Sequence, residues 1–180
     1  MVETRVRFGY KEYQHLPEEK RCEVIDGDLL RSPSPTPYHQ RILLRLYKAL
    51  DAFVRRHKLG EVLVAPCDVL LTEFDIVQPD ILFIAAARLG IVGPKYISGP
   101  PDLAMEIFTE PSAYRDMVVK KSLYAKHRIP EYWLVDLQAK RIEVLALGAA
   151  GYASSVVAEG DAPAPSRLLS GFSVRPADVF

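Results

Sequence analysis

The stretch Val77-Gln78-Pro79-Asp80-Ile81-Leu82-Phe83-Ile84 sets the frame for the rest of the chain. A run of branched and aromatic residues of this length reads as a buried strand. Asp80 stands at its mouth, and a buried carboxylate is costly unless it is paired, hydrogen-bonded or bound to a metal. Pro79 lacks a backbone donor, so strand pairing is interrupted or at an edge there. A second run of the same kind follows, Leu103-Ala104-Met105-Glu106-Ile107-Phe108, again with one carboxylate among apolar neighbours. Two acids on two apolar strands suggest a shared purpose, and the simplest is a divalent cation. Each also has a plainer reading: Asp80 as a strand-end cap, Glu106 as half of a buried ion pair.

Length and composition bound the rest. The 180 residues read as a single domain, 1–180, large enough to bury a core. Lys plus Arg and Asp plus Glu stand at 23 each, so the net charge is zero, and any phosphate binding must come from a local patch. Two isolated cysteines, Cys22 and Cys67, support neither a disulfide framework nor a zinc site. Charged residues interrupt the N-terminal segment, and no stretch has the roughly 18 apolar residues of a membrane span. The expected setting is the cytoplasm, with no membrane partner.

In chain order, residues 1 to about 20 read as a weakly specified arm, with a short helical turn opened at Leu16-Pro17-Glu18-Glu19. Cys22 to Leu30 reads as a β-hairpin about Asp26-Gly27, both central positions requiring positive φ. Ser32-Pro33-Ser34-Pro35-Thr36-Pro37 is a rigid link. Leu43, Leu46, Leu50 and Phe53 give the spacing of a helix over 38–58, with Gly60 as its left-handed cap. Arg41, Arg45 and Lys48 fall near one flank of that helix, either a solvated face or a phosphate-facing stripe. Residues 61–65 and 69–72 form one strand broken at Pro66, or two. The segment 88–98 connects, with a possible helical turn. Ser112 is placed to cap a helix from Ala113 to about His127. Strands follow at 132–136, 141–147 and 152–157, and a short element closes the chain near Phe172 and Val174.

The order strand, carboxylate, strand, carboxylate, lysine-bearing helix suits metal-assisted phosphodiester hydrolysis. Mg²⁺ takes oxygen ligands, needs only one or two protein carboxylates, and keeps several waters. Asp80 and Glu106 supply them, with a backbone carbonyl beside Glu106 as a further ligand. A nearby lysine can orient or deprotonate the attacking water, or neutralise developing charge. Lys120 is the choice, since it lies one turn after Asp116 and one turn before Tyr124 on a common face, while Lys121 points about 100° away. Taken singly, Lys120 also fits a solvated helix position.

A longer pattern sharpens this. Glu23-Val24-Ile25-Asp26-Gly27-Asp28-Leu29, Ser34-Pro35, His39, Val77-Gln78-Pro79-Asp80, Glu106, Arg115-Asp116, Lys120, Tyr124-Ala125 and Pro130-Glu131-Tyr132-Trp133-Leu134-Val135-Asp136 occur in that order. The series resembles the Uma-two family, described as restriction endonucleases of the PD-(D/E)xK superfamily, over about residues 18–147. The resemblance implies an α/β (α+β) restriction-endonuclease-like fold, a central mixed β-sheet flanked by helices, here with an N-terminal β-hairpin. It implies metal binding by the residues matching Asp80 and Glu106. The superfamily's usual lysine, two residues after the second acid, is Phe108 here, and the matching lysine is Lys120 on the next helix. Glu23, His39, Gln78 and Tyr124 match family positions as auxiliary residues, Glu23 as a further metal ligand and His39 near the water or phosphate. Where many relatives read Ser-Pro-Ser, this chain reads Thr109-Glu110-Pro111.

The expectation is therefore an Mg²⁺- or Mn²⁺-dependent endonuclease acting on DNA as a homodimer, with Asp80, Glu106 and Lys120 catalytic. The rival is a catalytically inactive nucleic-acid- or protein-binding module on a nuclease scaffold, favoured by Phe108 and the zero net charge. RNA or branched DNA ranks below, for want of an aromatic stacking ladder.

Overall fold

The continuous apolar runs of the central strands dictate a layered structure, with both faces of the sheet covered. In the computed structural model, which describes residues 7–16 and 22–180, β8 (Leu103–Phe108) runs between β6 (Ile81–Ala85) and β9 (Glu131–Asp136). Side chains of a strand alternate between the two faces of its sheet. Leu103, Met105 and Ile107 thus face one core, with Ile81 and Phe83, while Ala104 and Phe108 face a second, with Leu82 and Ile84. Glu106 and Asp80 have the parity of the second face.

The complete elements are α1 (Tyr10–Tyr13), β1 (Cys22–Ile25), β2 (Asp28–Arg31), α2 (Pro37–His57), β3 (Gly60–Val64), β4 (Val69–Thr72), β5 (Asp75–Val77), β6, β7 (Ile97–Ser98), β8, α3 (Glu110–Tyr114), α4 (Lys121–Lys126), β9, β10 (Arg141–Gly148), β11 (Gly151–Glu159), β12 (Ala164–Pro165), β13 (Ser173–Val174) and α5 (Pro176–Val179). A 3-10 helix covers Ala86–Ile91, and a π-helix, Arg115–Lys120, joins α3 to α4.

The six-stranded sheet has the order β11-β10-β9-β8-β6-β3. Only β8 and β9 run parallel in it. On its first face α2 lays down Ile42, Leu46, Leu50 and Val54, all fully buried, together with Phe172, Val174 and Val179 from the chain's end. On its second face lies the five-stranded sheet, β2-β1-β5-β4-β7, with Leu123 and Tyr124 of α4 beside it. The fold is thus α+β with mixed sheets flanked by helices, and the hairpin β1–β2 is part of the second sheet. Asp26 and Gly27 at its turn have φ of 51° and 80°.

Several local readings are corrected. The left-handed cap of α2 is Lys58 (φ 55°). Gly60 opens β3 at φ 153°, and a Cβ there would collide with the Ile84 carbonyl oxygen, so close strand packing demands this glycine. Of the two readings about Pro66, the structure has the second: two strands, here in different sheets. The helix expected from Ala113 begins at Glu110 behind Thr109, and its middle is π-helical. The arm is anchored where it is described: the Tyr13 hydroxyl donates to Cys22 O at 3.1 Å and bonds Asp68 Oδ1 at 2.8 Å. The turn expected at Pro17-Glu18-Glu19 lies outside the described residues. Glu131, 1% exposed, accepts bonds from Trp133 Nε1, the Ser166 hydroxyl and the backbone N–H groups of Arg167 and Leu168, tying the C-terminal segment to β9. Among the described residues no helix is long and apolar enough to cross a membrane.

Candidate active site

Strand register brings the two acids together. Ile81 pairs with Met105 across antiparallel β6 and β8. The next pair outward is Asp80 with Glu106, and side chains directly opposite in such a pair lie on the same face, about 5 Å apart at Cβ. The ladder ends at Ile81, which leaves the Ile107 N–H over. The Asp80 carboxylate takes it, Oδ2 accepting at 2.8 Å. His39, in the first turn of α2, places Nε2 at 3.2 Å from the same oxygen and 3.1 Å from the Ile107 carbonyl. The Thr36 hydroxyl caps that turn by accepting from the His39 backbone N–H at 3.2 Å.

Lys120 enters from the helix above. Its ammonium lies 2.8 Å from Glu106 Oε1, 2.8 Å from Glu23 Oε1 and 3.8 Å from Asp116 Oδ1. Glu23 belongs to the five-stranded sheet and Glu106 to the six-stranded one, so Lys120 ties the two sheets at their seam. Tyr124, one turn on, donates its hydroxyl to Glu106 Oε1 at 2.7 Å. Burial alone would lower the Lys120 pKa, but Glu106, Glu23 and Asp116 together hold it above its usual value, so the side chain stays cationic. Burial pushes Glu106 well above the usual carboxylate range; Lys120 opposes this, and Asp116, Asp80 and Glu23 add to it. Phe108, at the superfamily's usual lysine position, is packed in the second core. The ammonium therefore reaches Glu106 from a neighbouring element rather than from the same strand.

The expected residues do not all converge. Glu23, His39, Gln78, Asp80, Glu106, Asp116 and Lys120 line one cleft of about 570 Å³. Gln78 gives its backbone N–H to Glu23 Oε1 at 2.8 Å, but its amide turns away to Asp68 Oδ1 at 2.7 Å. Arg41, Arg45 and Lys48 are not among the residues lining that cleft, and Arg45 instead donates to the carbonyls of Val179 and Phe180. Besides Lys120 and His39, the cleft's own basic residues are Arg31 and Arg115. Arg115 escapes an α-helical reading because it sits on the π segment. The sequence signal that could have found it is its place directly before Asp116.

A divalent cation fits this donor set. Among the described residues no group of three or more His, Cys, Asp and Glu side chains is arranged to hold a metal ion, and the oxygen donors offered are those of a hard ion that takes one or two protein carboxylates. Glu23, Asp80, Glu106 and Asp116 face the cleft together with Arg31, Arg115 and Lys120. Glu23 Oε2 is buried with no hydrogen-bond partner, an oxygen whose burial is costly as it stands.

The chain belongs to the Uma2 family. The model of that family, described as "Putative restriction endonuclease", matches residues 10–178. A solved structure described as "a putative nuclease belonging to DUF820", from Anabaena variabilis ATCC 29413, is similar in fold, with a TM-score of 0.80 over 96% of this chain and 97% of that one at 20% identity. No curated protein matches the chain. The family description supports a nuclease function, and the likeness to the solved structure shows the fold.

Proposed function

We propose that this Uma2 protein is an endonuclease that hydrolyses DNA phosphodiester bonds with Mg²⁺ or Mn²⁺ held by Asp80 and Glu106. The observation that carries the reading is the pairing of these acids by strand register, with a buried, permanently charged Lys120 at 2.8 Å from Glu106. A bound dication would lower the pKa of a water and offset charge on the scissile phosphate. Asp80 is held in place by the Ile107 N–H, and the Ile107 carbonyl beside it is the further oxygen available. Glu106 is oriented by Lys120 and Tyr124. Lys120 acts as a fixed cation that neutralises developing negative charge and orients water; being held protonated by three carboxylates, it is unsuited to deprotonate it. His39 steadies Asp80 at the cleft wall. The cutting unit is a homodimer, the commonest oligomer and one suited to two strands; sedimentation of the protein with and without duplex reads this directly, and a monomer in both excludes it.

Calorimetric titration of Mn²⁺ and Mg²⁺ into wild type and into Asp80→Ala with Glu106→Ala tests the site, followed by incubation with supercoiled plasmid. The expected result is joint loss of metal binding and nicking. Undiminished nicking by a folded Asp80→Ala protein would refute the assignment. Salt-dependent DNA binding that survives loss of Asp80, with no turnover in wild type, would favour the inactive binding module.

A further inference from the structure

Arg115 is a guanidinium with its donors left over. Its side chain is 22% exposed, and its Nε is buried with no hydrogen-bond partner. Its contacts are a long bond from Nη1 to the Arg31 carbonyl, 3.4 Å, and an approach of Nε to Asp116 Oδ1 at 3.9 Å. Asp116 does not satisfy it, since that carboxylate is shared with Lys120 at 3.8 Å. A guanidinium carries five N–H donors in a planar fork that matches phosphate geometry. Leaving such donors unpaired in a mostly buried position is unfavourable unless a ligand completes them.

The backbone shows why this residue faces the cleft at all. In 3.6-residue geometry, positions 115 and 120 would stand about 140° apart. A π turn closes on the fifth residue instead of the fourth. The π segment Arg115–Lys120 therefore turns both ends to the same side. Its strand-side support is the Tyr132 hydroxyl, which donates to the Asp116 carbonyl at 2.9 Å. The result is two cations on one wall with different surroundings. Lys120 is committed to carboxylates within the protein, whereas Arg115 has donors to spare and lies nearer the opening, being 22% exposed against 3%.

We infer that Arg115 is a phosphate-binding residue, gripping a backbone phosphate of the nucleic-acid strand that enters the cleft between Arg31 and the acidic pair. The inference rests on the nuclease reading for the identity of the ligand. It adds what that reading lacks, a contact on the protein by which a polyanion is held beside four carboxylates. The alternation of proline in Ser32-Pro33-Ser34-Pro35-Thr36 stiffens the facing wall.

The test is equilibrium binding of a short DNA duplex, without divalent metal, across a salt series, for wild type, Arg115→Lys and Arg115→Gln. Folding of each variant is checked by thermal melts. Neutralising one phosphate steepens the dependence of log K on log salt by about 0.9. Arg115→Gln is expected to bind about tenfold more weakly with a slope shallower by about 0.9, and Arg115→Lys to keep the slope while losing part of the affinity. An unchanged slope in folded Arg115→Gln overturns the inference, even if its melting temperature falls, because a structural role would move stability and not ion release. Plasmid nicking by wild type is scored separately with Mn²⁺. Wild type that nicks, with an unaltered slope in the variant, leaves the nuclease reading standing and removes Arg115 from it. Wild type that binds with an Arg115-dependent slope and never nicks keeps the phosphate contact and removes the catalysis. Wild type that binds no DNA at any salt concentration overturns both.

Discussion

Replacing Lys120 with Met is the most demanding perturbation of this structure. Methionine keeps the stem's approximate length and apolar character, so packing around the stem changes little. What disappears is the charge between two sheets. Glu23 Oε1 and Glu106 Oε1 each lose a partner at 2.8 Å, and both side chains remain at most 5% exposed. Removing one partner of a buried ion pair typically costs about 3–5 kcal/mol, because the remaining charge cannot recover its hydration. Tyr124 still donates to Glu106, which places the expected cost near the lower end, about 3 kcal/mol. For a chain of this size each kcal/mol moves the melting temperature by roughly 2–4 °C, so a fall of about 10 °C follows. Calorimetry of wild type, Lys120→Met, Glu23→Gln and the double variant completes the cycle. The double variant should recover part of the loss, since Gln at position 23 removes one of the three buried carboxylates that face Lys120. A Lys120→Met protein melting within about 1 °C of wild type, well inside the scatter expected of surface substitutions, would show that this ammonium is not buried between the carboxylates.

Other consequences follow from the remaining buried carboxylates. Asp75 accepts from the Asp26 backbone N–H at 2.8 Å and the Thr72 hydroxyl at 3.0 Å, with Lys126 and His127 near. Burial alone would raise its pKa, but these partners outweigh it and hold the group below its ordinary value. A depressed folded pKa gives stability that is full above the unfolded value, about 3.9, and is lost as pH falls through the folded one. The stability gap between wild type and Asp75→Asn in urea should therefore be about 2 kcal/mol at neutral pH and close below pH 4; a gap independent of pH would contradict it. Glu131→Ala strips an acceptor from Trp133, Ser166 and two backbone N–H groups. The expected cost is about 3 kcal/mol, with earlier proteolytic cleavage in 160–180, and an unaltered digestion pattern would argue that Glu131 does not hold that segment.

The element types, and the single carboxylate that each central strand presents, were legible because they depend on short-range patterns. The near-continuous apolar runs Ile81 to Ile84 and Leu103 to Phe108 announce strands buried on both faces, and the lone carboxylate at the mouth of the first and inside the second is conspicuous against that pattern. Asp26-Gly27 announces its turn because only a few residue types adopt positive φ cheaply. Lys120 came from the helix face it shares with Asp116 and Tyr124, and the resemblance to the Uma-two family, confirmed over residues 10–178, pointed to the same residue.

What needed the tertiary structure is set by contacts between distant segments. Nothing local in Cys22 to Ile25 shows that Glu23 will meet Lys120 from a different sheet, because that contact depends on how the two sheets stack. The basic spacing on α2 is real, but position in the fold directs Arg45 to the chain's last carbonyls and away from the cleft. The π turn at Arg115–Lys120 is invisible to a 3.6-residue count. It arises where packing favours one extra residue in the turn, and it is what sets Arg115 beside Lys120. Sequence periodicity determined which residues are buried on each element; only the stacking of those elements decided which buried charges share a site.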